Sequence, residues 1–575
     1  MAAATQAQVI SERATSNYED RHKAIVARAQ WLLSARTPLL SYWQDIAENF
    51  YAVRSDFTIT RYIGDEFAYN QTTSYPSLVM RDLQDQIGEG ARPTGQDWFE
   101  VATNRDDRQI DNAAKKWLEM ATRTQRRAMQ DEKAQFSRAT KEADGDYAAF
   151  GQASLSVEIN LKDNALLYRA WHLRDMAWAE TATGVVGMRC RQWEPTYQEM
   201  MQYFPKDKLH PEIIQKATMD NGRQAYQCGK LIHIICPADD YDGPYVRKGR
   251  PWIEYWIDLQ NQWVIIETAR ITPYYIIPRW QRVTGWRYGT QYACSPAVVC
   301  GLPDARVLQA MAYTMLRAGE KAVDPPLVAV EQAVRSDIAV YPGAITYVDA
   351  DYDERLGDAL RPMTIDSRGL AFGNQFISDI RSMLSKGFYA DKLTLPPIGP
   401  DMTATEVRAR VQEYVRNAIA LFTPINEDYN QPMCSQTFDL LMAVKAFGSP
   451  QAIPDSLQGA DIKFSFTNPL VEAKKQIKAQ IFVQGKQLID IGATMDPALS
   501  GIADAEVALR DALDGIDFPA DWLKDEDQVD SLRQSQQQMD ALKQTLTAAA
   551  GAGQAAQQVG QGAAALGPVA EALGQ

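Results

Sequence analysis

GLPDARVLQAMAYTMLRAGEKAVDPP, from Gly301 to Pro326, reads as one helix that ends on a hard stop. Pro303 suits a first helical turn, where its missing N–H had no partner, and Asp304 suits the positive end of the helix dipole. Val307, Leu308, Met311, Ala312 and Met315 then recur at helical spacing. Asp324-Pro325-Pro326 closes the helix, because a residue before proline is pushed out of the α region. Upstream, Tyr288-Gly289 and Ser295-Pro296 punctuate the approach. Downstream, β-branched residues from Val328 to Val348, broken at Pro342-Gly343 and by the acidic run Asp349 to Glu354, predict a few short strands. A second helix, about Leu370 to Lys392, carries Phe372, Phe376, Ile380 and Leu384 at every fourth position. The loop Thr394 to Pro400 contains Pro396-Pro397 and Gly399, which keep it out of any helix. Thr403-Ala404-Thr405-Glu406 has the form of a capping box, and Val407, Val411, Tyr414 and Val415 continue an apolar face behind it.

The chain surrounding this segment has 575 residues, enough for several domains or one elongated subunit. Hydrophobic residues make up 46% and charged residues 23%, the balance of a folded globular protein. The net charge of −14 argues against stationary gripping of duplex DNA, whose affinity comes mostly from phosphate neutralisation. Six cysteines are scattered without a Cys-x-x-Cys pair and read as reduced thiols. The N-terminal Met-Ala-Ala-Ala-Thr-Gln lacks a basic region followed by an apolar core, so no signal peptide is expected. No apolar run reaches the ~18 residues a membrane span needs.

Taken in order, Arg21 to about Val53 reads as a long amphipathic helix with Pro38 as a candidate interruption, and Trp31 and Trp43 as core residues. Another helix, about Pro76 to Gly88, stops at Gly90-Ala91-Arg92-Pro93, and a strand begins near Trp98. Lys115 to about Ala143 is expected to be helical, its Arg123, Arg126 and Arg127 forming a solvated face rather than a binding site. Residues 145 to 285 alternate as a largely β region, with one helix near Tyr197–Tyr203. The third helix of the central segment is expected to break near Pro424 and restart through Asp439 to Met442. Ile462 to Phe466 is strand-like, Val471 to about Leu488 and Gln528 to about Ala549 are helical, and the Ala/Gly/Gln-rich tail after Gly551 favours disorder.

A search for chemistry finds no phosphate-binding loop: Gly229-Lys230 and Gly485-Lys486 lack both the upstream glycine and the following hydroxyl. His22, His172, His210 and His233 are too dispersed for a zinc site, and Gly-x-Ser-x-Gly is absent. Asp239-Asp240 and Asp349, Asp351 and Asp353 are the acidic groups from which a metal-dependent nuclease, or another packaging enzyme, would have to be built. Their turn-like context favours solvated loops. No catalytic residue, metal or cofactor is assigned.

Arg279-Trp280, Gly285, Tyr288-Gly289, Leu302-Pro303-Asp304, Glu320 to Pro326 and the Thr403–Glu406 helix start occur here in an order and spacing that carry a resemblance. The sequence resembles the head-to-tail connector, or portal, proteins of short-tailed, T7-like bacteriophages (podoviruses). The resemblance implies an α+β, elongated portal-type subunit that assembles into a ring, with mostly helical wing, stem and crown, a β-rich wing portion and a small α/β clip insert. It implies a wing region over 1–285, an approach and first stem helix over 286–324 and a clip over 325–367. A second stem helix over 368–391, a tunnel loop over 392–402 and a long wing helix with its return over 403–490 would follow. The crown would be 491–550 and the tail 551–575. Lys392, Leu393, Thr394, Leu395, Pro396, Pro397 and Ile398 would face DNA, with Arg368, Arg381 and Lys386 as phosphate contacts. Implied partners are about eleven further copies, viral duplex DNA, a tail adaptor, major capsid and scaffolding proteins, internal core proteins and a terminase motor. The implied location is the capsid portal vertex of the virion, with the host cytoplasm during assembly.

Overall fold

The computed structural model describes residues 18–93, 97–104, 111–160, 162–218, 222–240, 249–287, 289–329, 360–363, 368–390, 423–449, 453–466, 485–489, 505–514 and 531–543, with a few single or paired positions besides. Helices α1 (Asp20–Ala35), α2 (Thr37–Phe50) and α3 (Tyr75–Ala91) precede strand β1 (Phe99–Thr103). Helices α4 (Asn112–Gln130) and α5 (Phe136–Phe150) lead into β2 (Leu155–Asn160), β3 (Ala165–Ala170), β4 (Met176–Glu180) and β5 (Val186–Trp193). After α6 (Tyr197–Tyr203) and α7 (Pro211–Thr218) come β6 (Leu231–Pro237), β7 (Trp252–Asp258) and β8 (Trp263–Arg270). The short β9 (Tyr275–Ile276), β10 (Gln281–Arg282) and β11 (Ala293–Cys294) follow. Helix α8 (Pro296–Val323), strands β12 (Leu327–Ala329) and β13 (Leu360–Pro362), and helix α9 (Arg368–Gly387) come next. Helix α10 (Gln431–Ala443), β14 (Ile462–Phe466) and α11 (Ala505–Asp514) complete the labelled elements.

Two units emerge, one from residues 1–98 and 125–446, the other from 99–124 and 447–575. In the second, β1 and β14 pair antiparallel from Phe99↔Phe466 to Thr103↔Ile462, and the rings of Phe99 and Phe464 meet edge-on 6.0 Å apart. Thr122 accepts the Val101 N–H at 2.9 Å and Trp117 packs on Phe447.

In the first unit, alternation builds a five-stranded antiparallel sheet in the order β4-β5-β6-β7-β8. One face is aliphatic and packs against Val26, Ala29 and Leu32 of α1 through Ile232, Ile234, Ile253 and Tyr255. The other face carries Arg189, Arg191, His233, Glu254 and Trp256, all buried. Glu254 accepts hydrogen bonds from His233 Nε2 at 2.9 Å, Trp256 Nε1 at 3.0 Å and Arg270 Nη1 at 2.8 Å. An ionised carboxylate only accepts, so Nε2 of a neutral His233 carries the proton and Nδ1 accepts from the Tyr275 hydroxyl, 2.6 Å away. The imidazole also stacks on the Trp256 ring at 3.9 Å.

This cluster predicts the acid response of the fold. Burial pushes His233 down to about 4, against the pull of Glu254. Burial alone would raise Glu254, but its bonds to His233 and Arg270 hold it at about 2. Both folded values lie below the unfolded ones, so acid favours the unfolded chain. The His233 contribution is complete above about pH 6.5 and is lost as pH falls towards about 4; the Glu254 contribution is lost from about 4.5 downwards. Thermal melts stepped from pH 7 to pH 4 should show a loss on the order of 3 kcal/mol. His233→Phe should flatten that step, and an unchanged step in this variant would refute the assignment.

Several elements depart from the sequence expectation. The N-terminal helix breaks at Arg36, and Pro38 lies inside the first turn of α2, where it is tolerated. Trp43 is buried at the centre of a cluster with Phe57, Phe150 and Tyr292, whereas Trp31 is 53% exposed, so only one of the two is core. The helix expected over 115–143 is two, α4 and α5, separated at Asp131–Gln135 where Gln135 adopts φ 52°. Its second part runs on to Phe150 and stops on Gly151, whose φ of 70° favours glycine. Strand β4 and helix α7 were not anticipated. The described chain resumes at Thr423, where Pro424 lies in a short helical stretch that passes into a π turn at Asn426–Asn430 and then α10; the residues before it, and so the expected break of the third helix, lie outside the described residues. The third helix with its Thr403 capping box, most of Val471–Leu488 and the tail lie outside the described residues.

Candidate functional site

The decisive stretch forms a two-helix hairpin. Ser295 caps α8, its Oγ accepting the Val298 N–H at 3.5 Å, and Pro296 occupies the first turn. The helix therefore starts five residues before Gly301, and Pro303 lies inside it rather than at its start. Helix α9 ends at Gly387, short of Lys392, as the chain turns through Tyr389 at φ 61°. A Cβ on Gly301 would lie 2.6 Å from Phe388 Cε2, while one on Gly373 would lie 2.4 Å from Met315 Sδ. Gly301 and Met315 ascend α8 while Phe388 and Gly373 descend from the end of α9 towards its start, so the two helices run antiparallel in close contact. Gly301, Leu302, Ala305 and Leu308 of α8 are buried, as are Ile380 and Leu384 of α9.

The base of the hairpin is bolted to the helical body of its unit. Gln309 Oε1 accepts the N–H groups of Thr72 and Thr73 at 2.8 and 2.9 Å, and its Nε2 donates to the Thr73 carbonyl at 2.9 Å. Arg306 pairs with Asp45. The Tyr75 hydroxyl lies 2.6 Å from Ser385 Oγ, and its ring carries the Arg381 guanidinium 5.3 Å from the centroid. Phe388 packs on Phe50 at 5.1 Å.

Beyond Gln309 the hairpin carries exposed apolar side chains. Tyr313, Leu316, Val323, Phe372 and Phe376 are exposed, Val323 to 89% and Phe372 to 71%. Phe372 and Phe376 stack at 6.3 Å, and Met315, Leu316, Gly319 and Val323 line a shallow open groove. Exposed large apolar side chains on both helices of the hairpin make it the candidate contact surface. The charge is also distinctive: α8 and α9 contain six basic against three acidic residues in a chain of net charge −14. At the far end, Leu327↔Pro362, Val328↔Arg361 and Ala329↔Leu360 pair antiparallel, so the insert between the helices is closed at its root by a two-stranded ladder.

Of the residues singled out in the sequence, Arg381 sits on Tyr75 and Lys386 is exposed in the last turn of α9. Arg368 opens α9. Lys392 to Ile398 lie outside the described residues, as do Asp349, Asp351 and Asp353. The anchors Tyr75, Gln309 and Asp45 escaped sequence reasoning because their partners are remote in the chain. Among the described residues no three His, Cys, Asp or Glu side chains are arranged to hold a metal, and no helix is long and apolar enough to cross a membrane. Arg123 and Arg126 are engaged by Glu119 at 3.1 Å and Asp97 at 2.6 Å.

Residues 22–523 match the family model described as bacteriophage head to tail connecting protein. The chain belongs to this family. It is 25% identical over 466 residues to a probable portal protein of Bordetella phage BPP-1, covering 80% of this chain and 81% of that relative. It is 21% identical over 527 residues to the portal protein of Salmonella phage epsilon15, covering 87% and 91% respectively. Its role is that of a phage portal, the connector between head and tail. As a connector subunit it combines helix and strand in one chain.

Proposed function

We propose that about twelve copies of this connector close into a ring at one capsid vertex, with the α8–α9 hairpins surrounding an axial channel for duplex DNA. The observation that carries this reading is the hairpin itself: firmly anchored at its root, apolar and unpartnered beyond it, and basic in an otherwise acidic chain. Identical neighbours cover the apolar faces, as closed rotational symmetry requires. The basic residues, Arg368, Arg381 and Lys386 among them, meet passing phosphates without gripping them, because the chain as a whole repels DNA. The loop Lys392–Ile398, stiffened by Pro396-Pro397, narrows the channel. The insert at 325–367 docks the tail adaptor and, earlier, the terminase motor, while the remaining surface meets capsid, scaffolding and internal core proteins. The assembled subunit performs no bond-breaking chemistry of its own.

Electron microscopy and native mass spectrometry of the purified full-length chain test this. Rings with a central hole wide enough for duplex DNA are expected. Particles that remain monomeric under all conditions, or that cleave DNA when Mg²⁺ is added, would refute it.

A further inference from the structure

The polar face of the five-stranded sheet holds a guanidinium with no counter-charge among the described residues. Arg189 of β5 is 6% exposed. Its Nη1 donates to the Gly187 carbonyl at 3.1 Å and its guanidinium lies 4.7 Å from the Trp252 ring centroid. Its Nε has no acceptor, and among the described residues no carboxylate reaches it. Arg279 is 7% exposed and approaches closely enough to repel it, and the Arg279 Nε is also without an acceptor. The carboxylate bonded to Arg279 is Glu180, which is already shared: one oxygen accepts from Arg279 Nη1 at 2.9 Å and from Arg282 Nη1 at 2.7 Å. Asp428 feels the charge of Arg279 and Arg282 but is hydrogen-bonded to neither. Among the described residues Arg279 and Arg282 thus share one carboxylate, Arg189 has none, and the Nε–H donors of Arg189 and Arg279 are unused.

Burying an unpaired cation is costly, and proteins normally satisfy it with a partner. Burial together with the neighbouring Arg279 pushes Arg189 down to about 9, which is the same imbalance seen from its titration. We propose that Arg189 and Arg279 form a binding site for one carboxylate side chain, supplied by a neighbouring copy of this chain. The inference rests on the ring reading above. A carboxylate is planar and matches the N–H fork of a guanidinium. A phosphate fixed on a DNA duplex is held on too broad a surface to reach a side chain so deeply buried. The chain carries 73 acidic residues against 59 basic ones, and in a ring of identical subunits each copy presents the same acid to the next.

The test uses the full chain, unassembled and assembled, with acetate as the probe. In sodium acetate, compared with sodium chloride of equal ionic strength, the melting temperature of the unassembled wild-type chain should rise by a few degrees. Arg189→Met should show no such rise and should reduce the ring fraction at a fixed concentration about tenfold. Should Arg189→Met fold poorly, Arg189→Gln reads the same two quantities. An acetate response that persists in these variants overturns the site. Normal ring formation by them overturns the neighbouring copy as the source, leaving a site for free anions only. If the wild type forms no ring at all, the ring reading and the carboxylate donor fail together, while the acetate response still decides whether the site exists.

Discussion

Replacing Asp144 with alanine should lower the unfolding free energy of the first unit by about 3–5 kcal/mol, the usual loss when one member of a buried ion pair is removed. Asp144 is 3% exposed and pairs with Arg92, itself 8% exposed. Arg92 also donates to Asn430 Oδ1 at 2.8 Å, and its guanidinium lies 4.6 Å from the Tyr429 ring centroid. Asn430 in turn donates to Asn426 Oδ1 at 2.8 Å within the π turn. One arginine thereby joins the end of α3, the middle of α5 and the start of α10. Without Asp144 the cation stays buried and the three segments lose their common partner. The double variant Arg92→Met/Asp144→Leu should lose far less than the two single changes together, because no charge is left stranded. Urea unfolding followed by circular dichroism measures both. A loss below about 1 kcal/mol in Asp144→Ala would show that Arg92 finds another acceptor.

Gly301→Val should destabilise the hairpin by about 2–3 kcal/mol and lower the yield of assembled connector. The added Cβ meets Phe388 Cε2 at 2.6 Å and Leu384 Cδ1 at 3.1 Å. Phe388 is 1% exposed and already packed against Phe50, so its ring has nowhere to move. Helix α9 must shift away from α8, although a side chain at this position gains up to about 1 kcal/mol of helix propensity over glycine. Gly373→Ala is the control. Its Cβ meets Met315, whose flexible and half-buried side chain swings aside, so a change under about 1 kcal/mol is expected. Thermal melts compare the two. Equal melting temperatures for Gly301→Val and wild type would mean that the helices are not in contact at Gly301.

The sequence by itself determined what local chemistry can encode. Asp324-Pro325-Pro326 stops α8 in the structure as it does on paper, since proline restricts its own backbone and its neighbour's. Alternation placed β7 at Trp252–Asp258, and helical spacing placed α6 at Tyr197–Tyr203. Motif order was sufficient to point to the connector family. Local signals misled where two of them competed: Pro303 looks like a helix start, but Ser295-Pro296 is the better cap, and the established helix tolerates one missing N–H. Trp31 looked like core because hydrophobicity does not say which face of α1 meets the sheet.

Only the tertiary structure decided the pairings between distant residues. The β1–β14 ladder joins strands from opposite ends of the chain, and Gln309 is fixed by Thr72 and Thr73. Neither contact leaves a periodic trace, because each depends on where the rest of the chain has brought the partner. The same holds for Arg189. Alternation puts it on the face of β5 opposite Met188 and Cys190, but whether a carboxylate meets it there depends on which strands and loops close over that face.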